Sequence, residues 1–389
     1  MKNRILLISP SFPPPFIGGH KVWTYNLATN SGENIDILTS SLKQHCAEIE
    51  YPKNMNIIRL EKIYSSKSED IDPSNLTLFK SYFFIAYWVI KNIIIKRDYD
   101  LVIVHGFVVL NAIVILLLKL AKVKVVGMGN SEEYTLCIYG KGFKNLLKKA
   151  LLKIHTYADG YVVVCHFAKR ILNNLGMQNN RIYVVPSSVN LEKNKITHQL
   201  SKKDNTILSV GRLIERKGFH FLVSAISIVK KDFNDVSLTI VGSGPYLKNI
   251  QKEIKKNNLE ENIFIRSGLS DSELSKLYNT SCLFVLAHTM LENGDTEGCP
   301  TVFSEAFSAK LPVIGGTGAG ADTIILDGKS GFIIDTKNIE LLADKIKLLL
   351  KDKALSQKFG EVGFNKVQLE HTPKATGAKF GSVINSILN

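Results

Sequence analysis

The stretch TILSVGRLIERKGF (206–219) decides the fold class. Its first five residues are a short apolar run of strand length. Gly211 ends the run, and Lys217–Gly218 opens an amphipathic helix. The same grammar occurs at RILLIS (4–9), NIDILTS (34–40), DLVIVHG (100–106), KVKVVGMG (122–129), GYVVVC (160–165) and RIYVVP (181–186). It returns at SLTIVGSG (237–244), NIFIRSG (262–268), CLFVLA (282–287) and LPVIGG (311–316). Apolar strands separated by helices make parallel sheets covered on both faces. Two such series predict two doubly wound α/β domains, 1–190 and 191–373. The polar, aperiodic LEKNKITHQLSKKDN (191–205) is the expected linker. A last helix, about 374–389, is in a position to pack back onto the first domain.

Length and charge set further bounds. A chain of 389 residues is long for one core and comfortable for two. Residues 1–190 carry 23 basic and 13 acidic side chains, a net +10, and residues 191–389 carry 26 and 22, a net +4. The excess in the first half implies an anionic partner there. Cys46, Cys137, Cys165, Cys282 and Cys299 are scattered and have no C-x-x-C spacing, which favours a reducing compartment over a disulfide framework or zinc site. The apolar run near the start, ILLI, is too short for a signal peptide and reads as a first strand. LVIVHGFVVLNAIVILLLKL (101–120) is interrupted by His105, Gly106, Asn111 and Lys119, and reads as a buried strand and helix rather than a membrane span.

In open α/β sheets ligands bind at the carboxyl ends of strands, and there this chain gathers glycines and charges. PPPFIGGH (13–20) brings Gly18–Gly19 before a helix, where backbone can approach a ligand or merely turn. Arg212 and Lys217 place two cations beside Gly211 at one strand end, suited to a diphosphate leaving group on which charge builds. VGSGP (241–245), with Gly242, and SGLSDSEL (267–274), with Gly268 and Leu269, are glycine turns that can offer backbone to a nucleoside or simply connect strand to helix. Ser270 or Asp271 is the expected cap of the following helix. EGCPTVFSEAFSAKLPVIGG (297–316) holds Glu297 and Glu305 on either side of a loop-to-helix junction. Carboxylates accept hydrogen bonds from sugar hydroxyls, and the free amides at the following helix N-terminus suit a phosphate. Glu305 lies among Val302, Phe303, Ala306 and Phe307 and so needs a partner. Asp295/Glu297 and Asp70/Asp72 have the spacing of metal carboxylate pairs, which is common by chance, and no structural metal is expected.

These pieces, in this order and over nearly the whole chain, resemble the retaining glycosyltransferases of family 4, which have the GT-B fold of two facing Rossmann-like domains. The resemblance rests on PPPFIGG (13–19), VVPSSVN (184–190), VGRLIERKG (210–218), IVGSGP (240–245), SGLSDSEL (267–274), EGCPTVFSEAFSAKLPVIGG (297–316) and DGKSGFIID (327–335). It implies that Arg212 and Lys217 bind the donor diphosphate, that Glu305 holds the ribose, and that Glu297 contacts the transferred sugar. Amides around Pro300, Thr301 and Val302 would meet sugar and phosphate. It also implies retention of anomeric configuration and no metal or other cofactor. Met128 stands where many relatives carry a histidine, Ser187–Ser188 replaces a commoner Asn-Gly, and His20 replaces a frequent glutamate. On the acceptor side the candidates are His105, Asn130, Glu132 and Glu133.

GKGFKNLLKKALLKIHTYA (140–158) is a helix whose Phe143, Leu146, Leu147, Ala150, Leu151 and Ile154 make one apolar stripe, ringed by Lys141, Lys144, Lys148, Lys149 and Lys153. Such a helix packs on a core or lies on an anionic membrane, and the charge of the first half favours the membrane. No nucleic-acid module is recognised. The expectation is therefore a cytoplasmic, membrane-peripheral glycosyltransferase of the hexosyltransferase type. It would move a sugar from a nucleotide-sugar to a glycan or lipid-linked acceptor in cell-surface polysaccharide biosynthesis. The rivals are a nucleotide-sugar epimerase or phosphorylase on the same architecture, and a non-catalytic sugar-nucleotide-binding partner of a glycan assembly complex.

Overall fold

The computed structural model describes residues 3–14, 19–40, 50–61, 75–106, 108–194 and 201–389; the side chains of 75–79, 143–145 and 193–194 are not described. The chain divides into two compact units, Met1–Ser187 with Pro373–Asn389, and Ser188–Thr372.

The first unit is a seven-stranded sheet of β1 (Ile5–Ile8), β2 (Ile35–Ser40), β3 (Met55–Leu60), β4 (Leu101–His105), β5 (Lys124–Gly129), β6 (Gly160–Val163) and β7 (Ile182–Val184), in the order β3-β2-β1-β4-β5-β6-β7. The second is a six-stranded sheet of β8 (Thr206–Val210), β9 (Ser237–Val241), β10 (Ile263–Arg266), β11 (Leu283–Leu286), β12 (Val313–Gly316) and β13 (Gly331–Ile334), in the order β10-β9-β8-β11-β12-β13. Every pairing between these strands is parallel. This is the doubly wound architecture expected of the strand series.

The central strands are the most apolar. Ile5–Ile8 and Leu101–His105 are buried throughout, as are Leu283–Leu286, because helices cover both faces. The chain steps outward from the middle of each sheet and then returns to the other side. The switch falls between β1 and β4 in the first unit and between β8 and β11 in the second. Loops leaving the carboxyl ends of those two pairs diverge and leave room for a ligand.

Two strands escape the sequence reading. β3 and β13 are the outermost strands on one side of their sheets, and β3 is only half-buried along its length. The segment read as one helix over 140–158 is a helix from Phe143 to Ile154 ended by a 3₁₀ turn, His155–Tyr157, and preceded by a separate helix, Ser131–Tyr139. The helix coincides with the expected apolar stripe, Phe143 to Ile154, and Gly142 stands just before it as its N-cap.

The helix Pro373–Leu388 closes the first unit against the helix Gly19–Asn30. Gly377 and Gly381 permit the approach: a Cβ at the former would strike Asn30 and at the latter the carbonyl of Ser31. Lys124 Nζ donates to the carbonyls of Ile387 and Leu388 at 2.8 and 2.7 Å, supplying a cation where a helix end presents bare carbonyls.

Candidate active site

In the second unit the β8 and β11 switch point is where charge gathers. After Val210 the chain makes a bend tied to the β9 loop, with Leu213 N donating to Ser243 O at 2.8 Å and Tyr246 N to Leu213 O at 2.8 Å. A 3₁₀ turn, Glu215–Lys217, follows. Gly218 then takes φ 66° and ψ 22°, a left-handed conformation that favours glycine, and starts the helix Phe219–Val229. A side chain at 218 would also collide with the carbonyl of Ala287. The turn is thus pressed against the end of β11, and Thr289 N donates to Arg216 O at 2.9 Å.

The result is a compact ion cluster. Lys217 Nζ lies 3.0 Å from Glu297 Oε2. Arg216 pairs through Nε with Asp295 Oδ1 at 3.0 Å and through Nη1 with Glu297 Oε1. Glu297 and Lys217 are 8% and 9% exposed, so each needs its counter-ion. The Lys217 chain runs across Gly211, where a Cβ would meet its Cε at 3.4 Å and Nζ at 3.5 Å. Arg216 and Asp295 as a pair were not read from the sequence. Their one signal is that both stand within two residues of the candidates Lys217 and Glu297.

The loop that carries Glu297 is folded on itself. Leu291 N donates to Asp295 O and Gly294 N to Leu291 O, both at 2.9 Å, while Thr296 Oγ1 donates to Gly318 O at 2.6 Å. Pro300 then precedes the helix Thr301–Ser308, whose start no side chain caps. Its first-turn amides belong to Thr301 and Val302, both half-buried. Glu305, on the same helix, accepts a 2.8 Å hydrogen bond from Tyr278 Oη. Tyr278 is fully buried and stacked on Phe284 at 5.9 Å. Burial and the Glu305 carboxylate hold its phenol well above the usual range, so it stays a donor.

The other candidates fall as follows. Arg212 is exposed, one residue after Gly211, and joins none of the ion pairs just described. Gly242 lies against the carbonyl of Gly211. Gly268, at φ 68°, and half-buried Leu269 lead into the helix Asp271–Thr280, which Ser270 caps in a reciprocal box with Glu273. Gly18 lies outside the described residues, as do Asp70 and Asp72, and Gly19 begins the first helix. His288, two residues past β11, was not anticipated. It is fully buried and its pKa falls to about 3, through burial first and then Lys217 and Arg216, so its ring is neutral. Among the described residues no group of three His, Cys, Asp or Glu could hold a metal ion.

The first unit's switch point, between β1 and β4, is built differently. His105 ends β4, and Thr24, on the helix after β1, lies 2.8 Å from its Nδ1. The Thr24 hydroxyl donates its one proton to His20 O at 2.9 Å. Burial takes the His105 pKa down to about 3. Trp23 stands edge-on at 5.6 Å and donates from Nε1 to Val185 O at 3.0 Å. On the neighbouring strand, Met128 is in register with His105. Asn130 follows it as the N-cap of the helix Ser131–Tyr139, with Glu132 and Glu133 in the first turn. Burial and then Glu132 raise the Glu133 pKa to about 8, and its Oε2 is enclosed without a hydrogen-bond partner.

One face of this unit is apolar. The helix Asn75–Val89 and its continuation Ile90–Ile95 expose Phe83, Tyr87, Ile90 and Ile95. The adjoining helix Val108–Leu120 exposes Leu116 and Leu120. Beside it, the helix Phe143–Ile154 exposes Leu146 at 64% and Leu147 at 56% and anchors itself through Leu152. Its expected stripe therefore faces outward over the first turns, alongside exposed Lys148, Lys149 and Lys153. Lys141 is exposed just before it, and the Phe143 and Lys144 side chains lie outside the described ones. No helix among the described residues is long and apolar enough to cross a membrane.

Comparison with known proteins agrees with this architecture. Residues 18–193 match the model of Glycosyltransferase Family 4, and residues 190–366 match that of Glycosyl transferases group 1. A GDP-mannose-dependent alpha-(1-6)-phosphatidylinositol monomannoside mannosyltransferase of Mycobacterium tuberculosis is 30% identical over 159 residues, 41% of each chain. The aligned stretch thus spans about two fifths of that relative's length. The capsular polysaccharide biosynthesis glycosyltransferase CapM of Staphylococcus aureus is 25% identical over 263 residues, 64% of this chain and 67% of that one. Sucrose-phosphate synthase of Thermosynechococcus elongatus superposes with a TM-score of 0.76 at 18% identity, covering 99% of both chains. With the two family models lying end to end on its two units, this chain belongs to the GT-B glycosyltransferases of family 4.

Proposed function

We propose that this protein transfers a hexose from a nucleotide-sugar to a glycan or lipid-linked acceptor, with retention of anomeric configuration, in the assembly of a cell-surface polysaccharide. The observation that carries the reading is the buried Lys217–Glu297 pair at the β8 and β11 switch point, beside an uncapped helix start. A cation and first-turn amides suit a diphosphate, and a carboxylate suits a sugar hydroxyl. In this reading Lys217 and Arg212 bind the diphosphate and stabilise the charge that grows on it as the glycosidic bond breaks. Glu305, held by Tyr278, takes the ribose hydroxyls. Glu297 takes the transferred sugar, and Thr301 and Val302 offer backbone amides. Gly19, Gly211, Gly242, Gly268 and Leu269 supply close backbone. His105, Asn130, Glu132 and Glu133 serve the acceptor.

The acceptor side also suggests location. Basic side chains on the helix Phe143–Ile154, beside its exposed Leu146 and Leu147, suit the cytoplasmic face of an anionic membrane. The names of the relatives support a polysaccharide role, since CapM acts in capsule biosynthesis. The test is release of nucleoside diphosphate from a panel of UDP- and GDP-sugars, with and without a membrane extract as acceptor. Acceptor-dependent release with a new α- or β-linkage matching the donor, read by NMR, supports the proposal. Conversion of the donor without acceptor would favour an epimerase, and binding without turnover a non-catalytic partner.

A further inference from the structure

Lys217 has two claims on it. Assigned to the donor diphosphate, it nevertheless sits 3.0 Å from Glu297, a carboxylate that would hold it back. Two opposite charges at that distance in a poorly hydrated site attract strongly, since the attraction scales inversely with the local dielectric. We infer that Arg216 is a positioning residue that neutralises Glu297 in place of Lys217, so that Lys217 is released to an incoming diphosphate.

The geometry has the parts such an exchange needs. Glu297 presents a different oxygen to each cation, Oε1 to Arg216 and Oε2 to Lys217, so losing one partner does not disturb the other. Arg216 is itself fixed. Its Nε pairs with Asp295 at 3.0 Å, its carbonyl is tied to Thr289 N at 2.9 Å, and its side chain is only 12% exposed. It therefore cannot follow Lys217 toward a ligand, and a planar guanidinium suits two carboxylates at once where an ammonium does not. Asp295 completes the charge balance, two cations facing two carboxylates before the donor arrives. When Lys217 turns to phosphate, Glu297 stays paired with Arg216, ready to accept hydrogen bonds from hydroxyls of the sugar.

The inference rests on the reading of Lys217 as the diphosphate ligand, and a double-mutant cycle separates the two. UDP and GDP are titrated calorimetrically into the full-length protein and into Lys217→Ala, Arg216→Ala, Glu297→Gln and the Arg216→Ala/Glu297→Gln double variant. Thermal melts check that each is folded, and Arg216→Gln stands in if Arg216→Ala is not. The expected result is that Arg216→Ala weakens the diphosphate that binds by about tenfold or more, because Glu297 then holds Lys217 alone. Glu297→Gln binds as tightly as the natural protein or tighter. The double variant recovers to within about threefold of Glu297→Gln, a rescue that loss of a merely structural arginine would not show. If Arg216→Ala binds normally while Lys217→Ala does not, the inference is overturned and the donor-site reading stands. If the loss persists in the double variant, Arg216 touches the diphosphate or holds the fold, and the inference is again overturned. If Lys217→Ala binds normally, or neither diphosphate binds the natural protein, both readings fall.

Discussion

The two units share one winding plan and use it for opposite electrostatics. At its switch point the second unit keeps its charges and pairs them: Arg216 and Lys217 face Asp295 and Glu297, all near or below one third exposed. The first unit holds His105 at its switch point, and Glu133 on the helix after the next strand, in neutral form. His105 is drawn down to about 3 and shares a hydrogen bond with a threonine, and Glu133 is drawn up to about 8. A site that stabilises a leaving diphosphate needs fixed charge that does not depend on pH. A site that receives neutral hydroxyls needs donors and acceptors without net charge. Under the proposed function the same scaffold would serve both, because strand order sets where a site forms while the loops set its chemistry.

The comparison can be broken most directly at Lys217. Lys217→Ala is expected to lower turnover by about two to three orders of magnitude with the fold intact, the loss typical of removing one fixed group that stabilises transition-state charge. His105→Ala is expected to leave nucleoside diphosphate binding unchanged. Steady-state rates and calorimetry on the two variants decide it, and equal loss of diphosphate binding in both would erase the distinction between the units. Next in size is the apolar face. Leu146→Ser with Leu147→Ser is expected to weaken binding to phosphatidylglycerol vesicles by about twenty- to four-hundredfold in sedimentation, since each leucine has a little over half its surface left to bury and full burial contributes about 1.5–3 kcal/mol. Binding that survives this change but vanishes in high salt would assign the membrane contact to lysines alone.

Stability against pH sharpens the contrast further. Glu133 keeps its proton in the folded state up to about 8, whereas the unfolded chain releases it near 4.5. Its contribution is complete below 4.5 and is lost as pH rises through 8. His105 has the opposite sign: its folded pKa, about 3, lies below the unfolded 6.5, so its contribution is complete above 6.5 and is lost as pH falls toward 3. Melting temperatures from pH 4 to 9 should show Glu133→Gln flattening the alkaline decline and leaving the acid one. The smallest expected effect is at Tyr278→Phe. It removes the hydroxyl that donates to Glu305, for a loss of about 1–2 kcal/mol by chemical denaturation and weaker nucleotide binding.

Much of this architecture was legible in the sequence because it rests on local pattern. Apolar runs such as Leu101–His105 announce buried parallel strands, and the glycines that end β12 announce where backbone must come close. The edge strands were not legible: β3 is half-exposed along its length, so MNIIRL lacks the continuous apolar signal of a central strand. Lys217, Glu297 and Glu305 stood out for their places beside glycine, proline and apolar helix neighbours. The Arg216–Asp295 pair did not, because a contact between residues 79 positions apart leaves no mark on local spacing. His288 was hidden for a similar reason, since its burial comes from β12 and the helix after Pro300, which pack on it from further along the chain.

The helix seated on Asn30 and Ser31 through Gly377 and Gly381 has a consequence for the order in which the protein is made. The second unit is a continuous insert, Ser188–Thr372, and every strand it needs is translated before residue 373. The first unit starts earlier but finishes later, because its helix Gly19–Asn30 stays uncovered until Pro373–Leu388 arrives. During synthesis the later-encoded half is therefore complete while the earlier one still waits with an open flank. A chain truncated after residue 372 is expected to keep a protease-resistant second unit and to leave the first unit vulnerable.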